Sequence, residues 1–548
     1  MTTKEKRART WICLFFIGIV LLGWFTVGDY GRYWDELSEI RIFRMAIMEY
    51  GELLPFETDF HQSLKAMGVI PLSQSVEMDH NFSLYYPIAF LACNPSLNVN
   101  QFAVVWRCYT WAVFVLGLFS LYAVSRRMGL SRSLSCATVV LLLFSPRFFA
   151  QGHYNNKDIA LMSLTGLCLW QSLRLAEKPC LSRAALFGLA AGLCVNTRII
   201  GGAICGLCGG MILLRLWREG RLKGPALRAV GAALGAAVAF YALLTPAMLK
   251  SPGEYLSYVL KNSYNFSRWN GTMLFMGQQI DLSSQKPPFY YLPVMIFLTT
   301  PLTQLALVGA GSVRLVGAAV RRRLEPLKKE SSFAAMLCLL MWVLPLLGCM
   351  LLRVRVYNGW RHVYFLYIPM MATAAWGLEG LARRLRGKRT PRAVAVWGLT
   401  AVLLIQGGLL AKNHPFQYAY YNPLVSRQTL ETRYDLDYWN VSVYQALMEL
   451  RSRPEVEKPL RIRCTDPRTR SGYAFATTWM TPEVEADFLL VEDAGSCPED
   501  CYLLANTSYR VLAGYELPKI ATPTVALQSY GATICAIYPP VSKEVTEP

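Results

Sequence analysis

Four ionisable residues stand at the edges of long apolar stretches: Asp35 and Glu36 in GDYGRYWDELSEI, and Lys157 and Asp158 in GHYNNKDIALM. Edges are where charge is tolerated, because an ionised side chain deep in hydrocarbon is costly. A carboxylate so placed can take a proton from a hydroxyl. Two carboxylates from separate loops are what a metal-free or metal-assisted transferase needs. Cations recur at the same level: Arg147, Arg198 in NTRIIGG, Arg268, and the pair Arg361-His362. Such groups hold phosphate or pyrophosphate through charge-assisted hydrogen bonds; they also snorkel to lipid headgroups. The acidic pair has a plain structural use as well, since carboxylates at a helix N-terminus complement its dipole. The five histidines, His61, His80, His153, His362 and His414, show no i, i+4 pairing. The C-x-x-x-C at 497–501 has no partner at zinc-site spacing. No metal site and no cofactor are therefore assigned, and a divalent metal is not indicated.

The elements that must position these groups are membrane spans. Apolar segments recur at 11–27, 102–125, 133–149, 158–174, 184–197, 199–215, 227–248, 289–313, 332–352, 362–382 and 393–411, which predicts about eleven transmembrane helices. The run 184–215 is interrupted by Asn196-Thr197-Arg198 and reads as a hairpin of two short helices. Hydrophobic residues make up 54% of the chain and charged residues 17%, with a mean hydropathy of +0.29, which excludes an ordinary soluble enzyme. A net charge of +19 would suggest a nucleic-acid partner in a soluble protein. Here the basic residues crowd the short connections RRMGLSR, RLAEKPCLSR, RLWREGRLKGPALR, RRRLEPLKK and RRLRGKRTPR, together with the N-terminal MTTKEKRART. That bias marks cytoplasmic loops and a cytoplasmic N-terminus, and it leaves no nucleic acid to be explained.

The opposite face carries segments 28–101 and 249–288 and everything after 411, so function is sought there. Leu37, Ile40, Phe43, Ile47 and Leu54 recur at helical spacing and predict an amphipathic juxtamembrane helix that starts at the acidic pair. Residues 412–548 are polar, with short strand-like runs (PLRIRC, ADFLLVE, DCYLLANTS, ATICAIY) and an amphipathic stretch at 441–453, and read as a small external α/β domain. Cys464, Cys497, Cys501 and Cys535 lie in it, and three disulfide pairings are open. The other cysteines fall mostly in spans, where Cys serves as a small apolar residue. The expected fold is thus a polytopic α-helical membrane module, 1–411, followed by an external α/β domain, 412–548.

The order of motifs on the external face resembles the GT-C superfamily of integral-membrane glycosyltransferases, in the branch of protein O-mannosyltransferases and lipid A aminoarabinose transferases (glycosyltransferase family 39). The resemblance rests on WDE after the first span, YNNKDIALM at the fourth, RHVYFLYIP at a late span, and then HPFQYAYYN and YDLDYW. It implies a polyprenyl-phosphate sugar donor and transfer to an acceptor hydroxyl on the external leaflet, with inversion. It implies that Asp35 is the catalytic carboxylate acting as general base, with Glu36 its neighbour and Asp158 a second acidic position. Lys157, Arg198, Arg361 and His362 are the expected donor phosphate ligands. The implied location is a bacterial inner membrane with the C-terminal domain in the periplasm. No β-trefoil-like repeat is visible in 412–548, which puts a protein acceptor in doubt and leaves lipid, glycan and protein open. The competing functions are a transporter or flippase of lipid-linked substrates, and a receptor or assembly factor that needs no carboxylate. Transporters place ionisable groups near the bilayer midplane and repeat their halves. This chain does neither.

Overall fold

The computed structural model describes residues 3–264, 271–321, 329–491, 501–517 and 522–540. Arg268 and Cys497 lie outside them. Helices fall on all eleven expected segments. Seven are by themselves long and apolar enough to cross a membrane: Thr3–Asp29, Val99–Arg127, Asn156–Glu177, Gly224–Leu243, Leu302–Arg321, Glu330–Leu352 and Arg389–Lys412. Large apolar side chains on their outer faces stand open, Trp11 at 71%, Val313 at 75% and Trp397 at 72%. In water such a surface would be untenable. In a bilayer it is the surface lipid covers, and the chain is an integral membrane protein.

Two expected spans are broken. The segment 133–149 forms Arg132–Leu143 and Pro146–Tyr154, bent by 74° at Phe144-Ser145. Pro146 explains the break, because proline removes a backbone donor and is accommodated at the first turn of a new helix. All nine residues of Pro146–Tyr154 are buried. This inner helix delivers Asn155, Lys157 and Asp158 to the protein interior instead of to an outer rim. The segment 289–313 likewise splits at Thr300-Pro301 into Tyr291–Thr299 and Leu302–Arg321. The hairpin expected at 184–215 is present as Leu181–Thr197 and Gly201–Arg218 with Arg198 at its turn.

After the first span the chain turns through Tyr30–Trp34 and enters the helix Glu36–Leu53, the expected juxtamembrane helix. Its buried face, including Ile40, Phe43 and Ala46, packs on Phe82, Tyr85, Phe102 and Trp106. At the C-terminal end, strands β3 (Leu460–Cys464), β4 (Phe488–Leu490), β5 (Tyr502–Asn506), β6 (Val525–Ser529) and β7 (Ala532–Tyr538) form a sheet of order β4-β3-β5-β7-β6. β3 runs parallel to β4 and β5, and β7 antiparallel to β5 and β6. Four of these strands match the expected runs; β6 does not, because VALQS alternates too weakly to stand out. The helix Val441–Arg451 covers one face of the sheet through Val443, Ala446, Leu447 and Leu450. Earlier in the chain, β1 (Thr272–Phe275) and β2 (Gln278–Asp281) make a small hairpin. Cys464 and Cys535 carry free thiols.

A close helix crossing joins Leu302–Arg321 to Tyr367–Arg384. A Cβ on Gly377 would lie 2.4 Å from the Leu307 carbonyl oxygen, and one on Gly311 2.0 Å from that of Thr373. Small residues permit such backbone approach in membranes. Gly377→Leu is therefore expected to lower the unfolding temperature and the yield of monodisperse protein in detergent, with overpacking of at least about 1–3 kcal/mol. Gly398→Leu, where a side chain meets open space, is the matched control.

Candidate active site

A cavity of about 410 Å³ opens between the juxtamembrane helix, the start of the helix Asn156–Glu177 and the segment after the last span. It gathers Asp35, Lys157, Asp158, Arg198 and Arg361, five of the seven residues singled out from the sequence. The other two, Glu36 and His362, are placed elsewhere.

Asp35 occupies the N-cap position of Glu36–Leu53, yet its side chain makes no capping hydrogen bond. It faces Arg361 instead, with Nη1 to Oδ2 at 3.1 Å. Arg361 is fixed from both sides, its guanidinium carbon 4.7 Å from the ring centres of Tyr357 and Trp439. Planar stacking of this kind suits arginine and holds its fork in one orientation. Across the cavity, Arg198 Nη2 contacts Asp158 Oδ1 at 2.6 Å. Asp158 Oδ2 accepts from Asn155 Nδ2 at 3.1 Å, and the same amide group donates to Gln151 Oε1 at 2.7 Å. Gln151 Nε2 donates to the hydroxyls of Tyr364 and Tyr438. Lys157 is 7% exposed, with its ammonium 5.3 Å from the Phe82 ring centre, and it has no ion pair among the described residues. Both carboxylates are thus matched by arginine, while a third cation is left for a ligand.

Glu36 turns the opposite way. Its carboxylate is fully buried and receives Arg107 Nε at 2.6 Å and Nη2 at 2.9 Å, with Arg32 Nη1 at 3.1 Å. Arg107 also donates to the carbonyls of Tyr30 and Gly31, the turn that leads to Asp35. Both guanidinium carbons lie 4.6 Å from the ring centre of Trp479. Glu36 therefore anchors the loop and does not reach the cavity. His362 packs on Tyr357 with ring centres 4.1 Å apart, so it backs a lining residue and does not line the cavity itself. Arg147 also stands behind the wall, donating to the Tyr420 carbonyl.

The structure adds residues that the sequence did not single out. Glu39, one turn after Asp35, lines the cavity and accepts from the Tyr33 hydroxyl at 2.8 Å. Burial and the neighbouring Asp35 charge raise it from 4.5 to about 8, against the opposing pull of the Tyr33 hydrogen bond, Lys157 and Arg361. Also lining the cavity, His80 contacts Glu77 at 2.5 Å. Burial, then the Lys157 charge, lowers it to about 4 despite that carboxylate. Tyr438, Trp439, Arg468 and Tyr509 close the cavity from the segment after residue 412. The YDLDYW motif explains how. Asp435 accepts from Asn358 Nδ2 at 2.7 Å, and Asp437 accepts the Val441 and Ser442 backbone N–H groups, so the turn that follows Asp437 is pinned with Tyr438 and Trp439 facing inward. The motif itself was the available signal; its aromatic pair is what reaches the cavity.

Neither a protein-family model nor a curated relative matches the sequence. Among solved structures, ArnT from Cupriavidus metallidurans bound to undecaprenyl phosphate is similar at a TM-score of 0.45 and 13% identity, over 98% of this chain and 99% of that one. The apo state of ArnT is similar at 0.44 and 13%, over 99% and 100%.

Two outcomes follow from this geometry. Glu36→Ala strands two buried guanidinium groups and is expected to cost about 3–5 kcal/mol, visible as a large drop in thermal midpoint that Asp35→Asn does not share. Glu39 holds a proton in the folded chain between pH 4.5 and about 8 that it lacks when unfolded, so its contribution to stability falls as pH rises through that window. The thermal midpoint should therefore decline less between pH 5 and pH 8.5 in Glu39→Gln than in the wild type. Equal slopes would refute the assignment.

Proposed function

We propose that this cavity transfers a glycosyl group from a polyprenyl-phosphate sugar to an acceptor hydroxyl at the external face of the membrane, with inversion, and that the chain belongs to the GT-C superfamily. The observation that carries the reading is the convergence of an accessible carboxylate, Asp35, with Lys157, Arg198 and Arg361 in a single cavity walled partly by aromatic side chains. The chemistry needs both kinds of group. As the acceptor oxygen bonds to the anomeric carbon, Asp35 takes its proton and the bond from that carbon to the phosphate oxygen breaks. The leaving phosphate needs charge stabilisation more than a proton, and preorganised cations supply it without reorganising.

Asp35 engages Arg361 through Oδ2, which leaves Oδ1 to accept the acceptor's proton. Lys157, free of an ion pair among the described residues, is the first contact for the incoming phosphate, with Arg198 and Arg361 beside it. Asp158 holds Arg198 in place. Glu36 and His362 act from behind, on the Asp35 loop and on Tyr357. The motif order supports a bacterial inner-membrane location, with the basic loops cytoplasmic and the cavity and the segment after 411 periplasmic. The acceptor is a lipid, glycan or protein hydroxyl.

The test uses detergent-purified protein and a polyprenyl-phosphate donor labelled in the sugar. Asp35→Asn is expected to reduce transfer by about 10²–10⁴-fold, the usual worth of a general base, while donor binding stays within a few fold. Lys157→Ala is expected to weaken donor binding by about tenfold or more, as loss of a charge-assisted contact does. Wild-type turnover by Asp35→Asn would sink the assignment, and donor binding without turnover by the wild type would favour transport.

A further inference from the structure

Three thiols converge inside the helix bundle, apart from the cavity. Cys168 on Asn156–Glu177, Cys194 on Leu181–Thr197 and Cys205 on Gly201–Arg218 bring their sulfur atoms within 4.8 Å of one another, with Cys168 and Cys205 3.9 Å apart. Cys168 and Cys194 are buried and Cys205 is half-buried. None lines the cavity. The hairpin turn makes the approach possible: a Cβ on Gly201 would sit 2.4 Å from the Cys194 carbonyl oxygen, so glycine lets the two legs close and Cys194 meet Cys205. Cys208 follows three residues after Cys205, on the same helical face, and its sulfur lies 3.6 Å from Met341 Sδ. A sulfur-lined track thus crosses four helices.

Packing of small apolar residues accounts for cysteines scattered along spans. It does not require three sulfur atoms from three helices to point at one spot. We infer that Cys168, Cys194 and Cys205 form a binding site for a single monovalent copper ion. A metal–thiolate bond of ~2.3 Å, the length found for zinc, places three sulfurs in a trigonal plane ~4.0 Å apart, close to the separation of Cys168 and Cys205. The ligand set selects the ion. The ligating form of cysteine is the thiolate, so each thiol that bonds to the ion releases its proton to solvent. Zinc favours four ligands in structural sites, whereas soft thiolate and thioether ligands select monovalent copper. The Cys208–Met341 pair extends the same chemistry beside the site.

The experiment takes the full chain, purified in detergent under anaerobic reducing conditions, and titrates it with monovalent copper in competition with bicinchoninate. One equivalent is expected to be retained, with a sulfur-only shell by X-ray absorption. Cys168→Ser and Cys194→Ser should each weaken retention by at least about tenfold, the loss seen even when groups behind metal ligands are removed. Cys136→Ser, on the helix Arg132–Leu143, should retain the ion as the wild type does. Less than one ion in the wild type, a nitrogen or oxygen shell, or wild-type retention by Cys194→Ser overturns the proposal. The first two readouts need no variant to fold.

Discussion

Glu36 is the residue on which the mouth of the bundle depends. A carboxylate with no exposure, held between Arg32 and Arg107, is not a large net source of stability, because desolvating three charges offsets most of their attraction. Its effect is to leave one arrangement possible. Any conformation that withdraws Glu36 strands two guanidinium groups in a dry interior. With Glu36 committed inward at the first residue of its helix, the preceding Asp35 is directed to the other side of the backbone. The same arginines hold the carbonyls of Tyr30 and Gly31 and stack on Trp479, so one ion cluster joins the first span, the helix Val99–Arg127 and the C-terminal segment.

On the cavity side charges of both signs are interleaved. Lys157, Arg198, Arg361 and Arg468 face Asp35, Asp158 and Glu77. Glu39 would add a further negative charge if it were ionised, and its raised titration, set by burial and by Asp35, keeps it largely neutral near pH 7. His80 stays neutral for the complementary reason, burial beside Lys157. In the proposed reaction these basic side chains are what a lipid phosphate meets, and the paired arginines keep Asp35 and Asp158 from repelling it.

The sequence displayed the charged residues well because charges are conspicuous against apolar stretches. Asp35, Lys157, Asp158, Arg198 and Arg361 could be named from their positions at span edges, and they share one cavity. Which way a side chain turns is set by tertiary contacts, so adjacent Asp35 and Glu36 looked equivalent and are not. Glu39 was hidden because an acidic residue on an amphipathic helix reads as a solvated face. Tyr438, Trp439 and Tyr509 belong to a chain with many aromatics, and only the pinned turn at Asp435 and Asp437 gives two of them direction. The span breaks had a local sign in Pro146 and Pro301, but Pro345 sits inside the unbroken helix Glu330–Leu352, so proline alone did not decide where a span ends.

The far wall of the cavity, Tyr438, Trp439, Arg468 and Tyr509, comes from residues made after the last membrane-spanning helix among the described residues, Arg389–Lys412. The ribosome therefore delivers the charged groups long before the aromatic and cationic lid that encloses them. During synthesis Arg361 has no Trp439 to stack on, and the Arg32–Arg107 pair has no Trp479. A chain made only as far as Lys412 holds the charged groups without the four side chains that wall them in, so the cavity takes its form only when the segment after residue 412 folds against the bundle.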